Sequence, residues 1–222
     1  MHRLKLIGTS HIASQSVSEI KRMILSEKPD IVAIELDKYR FPQLFKQKNK
    51  LALSEITRVG FTGYLFAKIG AWLQKSLGKE VRLAPGADMR AAVKAAQQVN
   101  AKLVLIDRPI QQTLQRLSSQ MTFFEKLKFF TYIFGGVLFK SGKSIDFDLQ
   151  KVPEKDLIEK LSNDLKKNFP AIYKVLVKER DEYLANQLKL LLKQSPNSTI
   201  FAVIGAGHLK GMQKALKSQL KD

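Results

Sequence analysis

The chain has three histidines, and two of them close copies of one pattern. His11 ends Gly8-Thr9-Ser10-His11, after the strand-like run Arg3-Leu4-Lys5-Leu6-Ile7. His208 ends Gly205-Ala206-Gly207-His208, after Thr199-Ile200-Phe201-Ala202-Val203-Ile204. The third histidine, His2, is next to the terminus. A glycine at a strand's exit lets the backbone turn sharply and approach a ligand, and the loop then delivers an imidazole to the sheet rim. One Gly-x-x-His is more often a plain turn before a helix; two on matching strand ends favour a shared site. Two neutral imidazoles and one carboxylate are a recurrent set for a divalent first-row metal with open positions. The carboxylate placed for that role is Glu35, which interrupts the apolar run Ile31-Val32-Ala33-Ile34 where a strand should end.

These residues need a sheet to bring them together. Ser16 with Glu19 reads as a capping box, and Val17, Ile20, Met23 and Ile24 recur at helical spacing before Pro29. Strand, helix and strand within the first 36 residues make a βαβ unit, which predicts parallel strands and puts Glu35 on the sheet edge where His11 emerges. Asp37 and Arg40 follow as a local ion pair. Residues 42–80 read as basic and helical, with a short strand near Val81 to Leu83. Asp88 is placed as N-cap of an alanine-rich helix, Met89 to Val99. Lys102 to Ile106 is the next strand, and it ends in Asp107-Arg108-Pro109, again at a carboxyl edge, where open α/β sheets bind ligands.

Helices are expected over Ile110 to Leu117, Pro153 to Phe169, Ala171 to Lys193 and His208 to Leu220. The third carries Glu179-Arg180-Asp181 and Tyr183; consecutive charges on a helix diverge, so not all of them reach one site, and a solvated cluster is the plain alternative. Residues 121–143 hold seven aromatics, among them Phe129, Phe130 and Phe134. That segment reads as a packed helical insertion, with a dimer contact or a membrane-surface patch as the other readings.

At 222 residues the chain suits one domain, 1–222, with the aromatic-rich insertion at about 110–150. The absence of cysteine excludes disulfides, thiolate zinc sites and cysteine nucleophiles. A net charge of +18 suggests an acidic partner, but 29 of the 38 basic residues are lysines spread along the chain without a groove-reading motif. Nucleic-acid binding is therefore disfavoured, and steering of an acidic ligand stays open. The most apolar stretch, Phe129 to Phe139, is too short for the roughly 20 residues of a membrane-spanning helix. With no signal-peptide pattern at the start, the chain is expected to be cytoplasmic or peripheral to a membrane.

Several segments together resemble one family. They are Gly8-Thr9-Ser10-His11, Ile34-Glu35-Leu36-Asp37-Lys38-Tyr39-Arg40, Gly86-Ala87-Asp88-Met89-Arg90-Ala91-Ala92 and Leu105-Ile106-Asp107-Arg108 with Thr113-Leu114-Gln115-Arg116. Glu179-Arg180-Asp181-Glu182-Tyr183 and Gly205-Ala206-Gly207-His208 complete the set. In this order they resemble the TraB/PrgY family and cover nearly the whole chain. The resemblance implies an α/β fold shared with Tiki, GumN and the erythromycin-esterase and ChaN-like proteins: a central, largely parallel or mixed sheet flanked by helices. It also implies a metal-dependent peptidase using manganese or cobalt, as in the Tiki relatives, or control of a peptide pheromone, as in PrgY-type members; zinc is the other candidate ion. Asp88 stands where the family usually has glutamate, and Pro109 is a further departure. Many relatives carry a hydrophobic membrane region after the domain, and none follows here before Asp222.

On this basis His11, Glu35 and His208 are the candidate metal ligands, with Glu35 alternatively the general base on a polarised water. Arg108 and Arg180 are expected to stabilise an oxyanion or hold a substrate carboxylate, and Asp181 to orient Arg180 or add a fourth ligand. Thr9, Ser10, Arg40, Asp107 and Tyr183 are the candidate substrate-binding residues, the substrate being a peptide. One rival is metal-free hydrolysis with a histidine base tuned by Glu35. Another is a non-enzymatic module that captures a peptide or anion at a membrane or partner surface. A homodimer is expected from the aromatic patch.

Overall fold

A computed structural model of the chain describes residues 3–9, 14–45, 86–138 and 154–219. Its centre is a sheet of four parallel strands: β1 (Leu4–Thr9), β2 (Ile31–Ile34), β3 (Lys102–Leu105) and β4 (Ile200–Gly205). Their order is β1-β4-β2-β3, so the last strand of the sequence lies between the first two. Every residue of β2 and β4 is buried, as a parallel sheet covered on both faces requires.

Side-chain alternation sorts the strands between two cores. Val32, Ile34, Phe201 and Val203 pack with helices α1 (Ser14–Glu27) and α2 (Ala87–Gln98). Ile31, Ala33, Ile200, Ala202 and Ile204 pack on the other face with Leu184, Leu188, Met212 and Leu216. These last four belong to α7 (Glu179–Gln194) and α8 (Ala206–Gln219). Helices α3 (Ile110–Gln120), α4 (Phe123–Leu138), α5 (Glu154–Asn168) and α6 (Pro170–Tyr173) lie between β3 and α7 in the chain. Leu114, Leu117, Met121, Phe169, Ile172 and Val175 form a third core there.

Several local expectations change. The sheet, expected to be largely parallel or mixed, is parallel throughout its described strands; the changes are in local detail. Helix α1 begins at Ser14, so Ser16 sits inside its first turn and not at the cap. Asp88 is buried within α2, whose N-cap is Gly86 at φ 75°, a left-handed turn that glycine adopts without a Cβ clash. The helix expected over Ala171 to Lys193 is interrupted by a π turn, Lys174–Lys178. In the aromatic segment Phe129 packs edge-on against Phe169, with ring centres 5.6 Å apart, while Phe123 and Phe124 are 74% and 79% exposed. The side chains of Phe130 and Phe134 lie outside the described residues, as do 139–143 and almost all of 42–83 apart from a 3-10 turn at Phe41–Phe45. Among the described residues no helix is long and apolar enough to cross a membrane.

Candidate functional site

Strand periodicity decides which rim residues can meet. Ile31 and Ala33 face α7 and α8, so the next odd position, Glu35, leaves the sheet on that side. There one carboxylate oxygen, Oε2, accepts the Gly205 N–H at 2.6 Å, and the other accepts Arg180 of α7 at 2.5 Å. His208, in the first turn of α8, brings its Nε2 to 3.6 Å from Glu35 Oε1.

Arg180 lies at the centre. Its guanidinium donates to Glu35, to Asp107 Oδ2 at 2.7 Å and to His208 Nε2 at 3.1 Å. A guanidinium only donates, so Nε2 is the accepting nitrogen and Nδ1 carries the ring proton. Nδ1 in turn lies 2.7 Å from Asp181 Oδ1. Both contacts thus select the same neutral tautomer. Asp107 extends the network: its Oδ2 also accepts Arg40 at 2.5 Å, and Arg40 returns to Asp37 at 2.5 Å. The Asp37–Arg40 pair is present as expected, and its reach to Asp107 ties the ends of β2 and β3 together.

Burial sets the charge states. Desolvation pushes Asp107 up, but the Arg180 and Arg40 guanidiniums and the Arg108 amide overcome it and hold the carboxyl below its ordinary value. For Asp181 desolvation wins over the His208 hydrogen bond, and its carboxyl is raised. Burial opposes the charge of Arg180, yet Glu35 and Asp107 raise its pKa further.

Arg108 is turned away from this rim. Its Nε donates to Thr113 Oγ1 at 2.8 Å, one terminal nitrogen to the Val175 carbonyl at 2.6 Å, and the other to Glu179 at 3.2 Å. Val175 belongs to the π turn, where i→i+5 bonding disturbs the regular ladder. Arg108 therefore satisfies a carbonyl of the turn that leads into α7, which suits an anchor for Arg180 and Asp181 better than a contact with substrate. Glu179 is held bidentately by Arg116 at 2.6 and 2.7 Å. Glu179 thus goes to Arg108 and Arg116 while Arg180 and Asp181 both meet His208, and none of the three is merely solvated.

Thr9 points to the opposite face, as Ile7 does, and donates to the buried Asp88 of α2 at 2.7 Å. It stands across the sheet from Glu35 and His208. Tyr183 is half-buried on α7, about 200° around the helix from Asp181. Ser10 and His11 lie outside the described residues. A groove of about 430 Å³ lined by Lys38, Tyr39, Pro109, Gln111, Gln112 and Gln115 opens beside the Asp37–Arg40 turn, and neither Glu35, Arg180 nor His208 lines it.

The described residues do not by themselves fit a divalent metal. His208 Nε2 and Glu35 Oε1 have suitable lone pairs and spacing, but the Arg180 cation engages both. No group of three His, Asp or Glu among the described residues could hold an ion.

The contacts across this rim join segments from the whole length of the chain, and similarity to known proteins spans the same length. The chain is 36% identical over 214 residues to an uncharacterized protein of Methanocaldococcus jannaschii, covering 96% of this chain and 53% of that protein. It is 27% identical over 247 residues to a human TraB domain-containing protein, covering 98% of this chain and 64% of the relative. A bovine TraB domain-containing protein is 27% identical over 241 residues, 96% of this chain and 62% of the relative. The chain thus spans between about half and two thirds of the length of these relatives. The family model described as TraB/PrgY/gumN matches residues 2–221, and the chain belongs to that family.

Proposed function

We propose that the rim is the active site of a hydrolase acting on peptides, with His208 as the base that activates water and Glu35 beside it. The observation that carries this reading is the Asp181–His208 contact of 2.7 Å, which fixes the ring with Nε2 free of a proton and directed toward Glu35. A histidine so oriented by a carboxylate is equipped for proton transfer. As Arg180 turns from Nε2 to the carbonyl oxygen, water adds its oxygen to the carbonyl carbon and gives a proton to the Nε2 so freed; the carbon–nitrogen bond then breaks, and Nε2 returns the proton to the departing amine. Arg180 is the positive group at the rim that offsets charge developing on the carbonyl oxygen. The choice of peptide as substrate comes from the family resemblance and not from the geometry.

A metal-dependent version, with manganese, cobalt or zinc held by His11, Glu35 and His208, is the second reading. The β1–β4 register favours it: Thr9 pairs with Gly205, so the strands that precede the two histidines are adjacent and end at one edge. The carboxylate behind His208 also suits a ligating imidazole. Because Arg180 engages the described donors, no step is routed through a metal. A peptide library assayed with and without chelator, on the parent, His208→Ala and Glu35→Gln, separates these readings. Turnover that survives chelation and disappears in both variants supports the first. Turnover lost on chelation and restored by manganese or cobalt, with one-site calorimetric binding abolished in His208→Ala, supports the second. Stoichiometric capture of a peptide without cleavage would overturn both in favour of a sequestering module.

A further inference from the structure

Gly211 lies in α8 three residues beyond His208, and so one turn along on nearly the same face. Nothing in the backbone asks for glycine there: among the described residues the only glycine with positive φ is Gly86. Within a helix glycine costs about 1 kcal/mol relative to alanine. The need for it is spatial. A Cβ built on Gly211 would lie 1.8 Å from Asp181 Oδ2, 2.6 Å from its Cγ and 3.3 Å from its Cβ. The missing side chain is therefore the slot in which the Asp181 carboxylate rests while its other oxygen reaches His208 Nδ1 at 2.7 Å.

We infer that Gly211 is a positioning residue of the rim, acting through Asp181 on the Nδ1 hydrogen bond and the direction of the His208 ring. The inference rests on the reading of His208 as the working base, but its physical content is testable without turnover. In Gly211→Ala the new methyl and the Asp181 carboxylate cannot share the slot, so Asp181 must swing out or α7 and α8 must part. With Asp181→Ala the two colliding atoms are gone, and the 3.3 Å contact to Cβ that remains is tight but needs only a small shift.

The experiment is a double-mutant cycle of Gly211→Ala and Asp181→Ala in the full chain, read by urea unfolding and by nitrogen-15 NMR of the histidine rings, with His208 assigned from His208→Ala. The parent is expected to show one His208 tautomer, protonated at Nδ1. Gly211→Ala should break the Nδ1–H hydrogen bond to Asp181, seen as a shifted Nδ1 resonance and faster exchange of its proton, and lose stability, while the same substitution in the Asp181→Ala background should cost little. If Gly211→Ala alone fails to fold, recovery of folding in the double variant supports the inference, and failure of the double variant overturns it. An unchanged His208 Nδ1 resonance in a folded Gly211→Ala, or an equal stability loss in both backgrounds, also overturns it. Where the parent cleaves peptide, Gly211→Ala should lower kcat by about 10²-fold or more, the range of a misdirected acid–base group. Absence of turnover in the parent counts against the hydrolase reading and leaves the cycle to decide on Gly211.

Discussion

Arg180→Met removes the centre of the charge network and leaves its surroundings in place. The guanidinium holds Glu35 at 2.5 Å and Asp107 at 2.7 Å, and those side chains are 6% and 1% exposed. Methionine keeps most of the stem and removes the charge. Asp107 would retain Arg40 at 2.5 Å, but Glu35 would keep only the hydrogen bond from the Gly205 amide. Breaking a buried ion pair by deleting one partner costs about 3–5 kcal/mol. At about 2–4 °C per kcal/mol for a chain of this size, the midpoint of thermal unfolding should fall by about 6–20 °C.

The sign of the pH dependence follows from Asp107. In the parent, burial raises its carboxyl but the Arg180 and Arg40 charges win and hold it low, so its contribution is full above the unfolded pKa and is lost as pH falls through the folded one. Without Arg180 the burial effect is less opposed, the folded pKa rises, and the variant takes up protons before the parent does. The deficit should therefore be greatest near neutrality and shrink on acidification. Urea unfolding of both proteins between about pH 2 and pH 8, a range that reaches below the unfolded carboxylate pKa, measures it. A neutral-pH deficit below about 1 kcal/mol, the scale of an exposed pair, or one that does not change with pH, would refute the reasoning.

Other outcomes follow from the same contacts. Arg108→Met should destabilise the chain by about 3–5 kcal/mol and accelerate amide exchange in Lys174–Lys178, since the Val175 carbonyl loses its donor; unchanged protection there would detach Arg108 from the π turn. Thr9→Val should cost about 1–3 kcal/mol through the lost hydrogen bond to buried Asp88, with peptide turnover retained because Thr9 faces α2. A fall in kcat at unchanged stability would place Thr9 in the site after all. The Arg116 hydrogen bond lowers the Glu179 pKa more than burial raises it, so this contribution is present above the unfolded value and lost as pH falls through the folded one. Glu179→Gln should flatten that part of the acid limb, and denaturant midpoints against pH would show it.

The legible part of this molecule is the part governed by neighbours in sequence. The unbroken apolar runs Ile31 to Ile34 and Ile200 to Ile204 mark fully buried strands, and the break at Glu35 puts a carboxylate at a strand's end, where it is found. Thr9 reads as a substrate contact from its place in the first turn; once packing fixes the face of Ile7, counting by twos sends Thr9 toward α1 and α2 instead. Asp88 misled because aspartate before an apolar helix usually caps it, whereas here a tertiary hydrogen bond to Thr9 draws it inward. The π turn and the direction of Arg108 had no local signature, since a long side chain follows whichever carbonyl and carboxylate the packed helices present.

By itself the sequence determined the parallel α/β plan, the two Gly-x-x-His strand exits and the position of Glu35, because hydrophobic period and glycine placement act over a few residues. Only the tertiary structure decided that Arg180 stands between Glu35, Asp107 and His208, and that Asp181 meets His208 in the space left by Gly211. These contacts join positions 27 to 145 residues apart, and they exist because inserting β4 between β1 and β2 carries α8 onto the sheet edge where α7 and the ends of β2 and β3 converge.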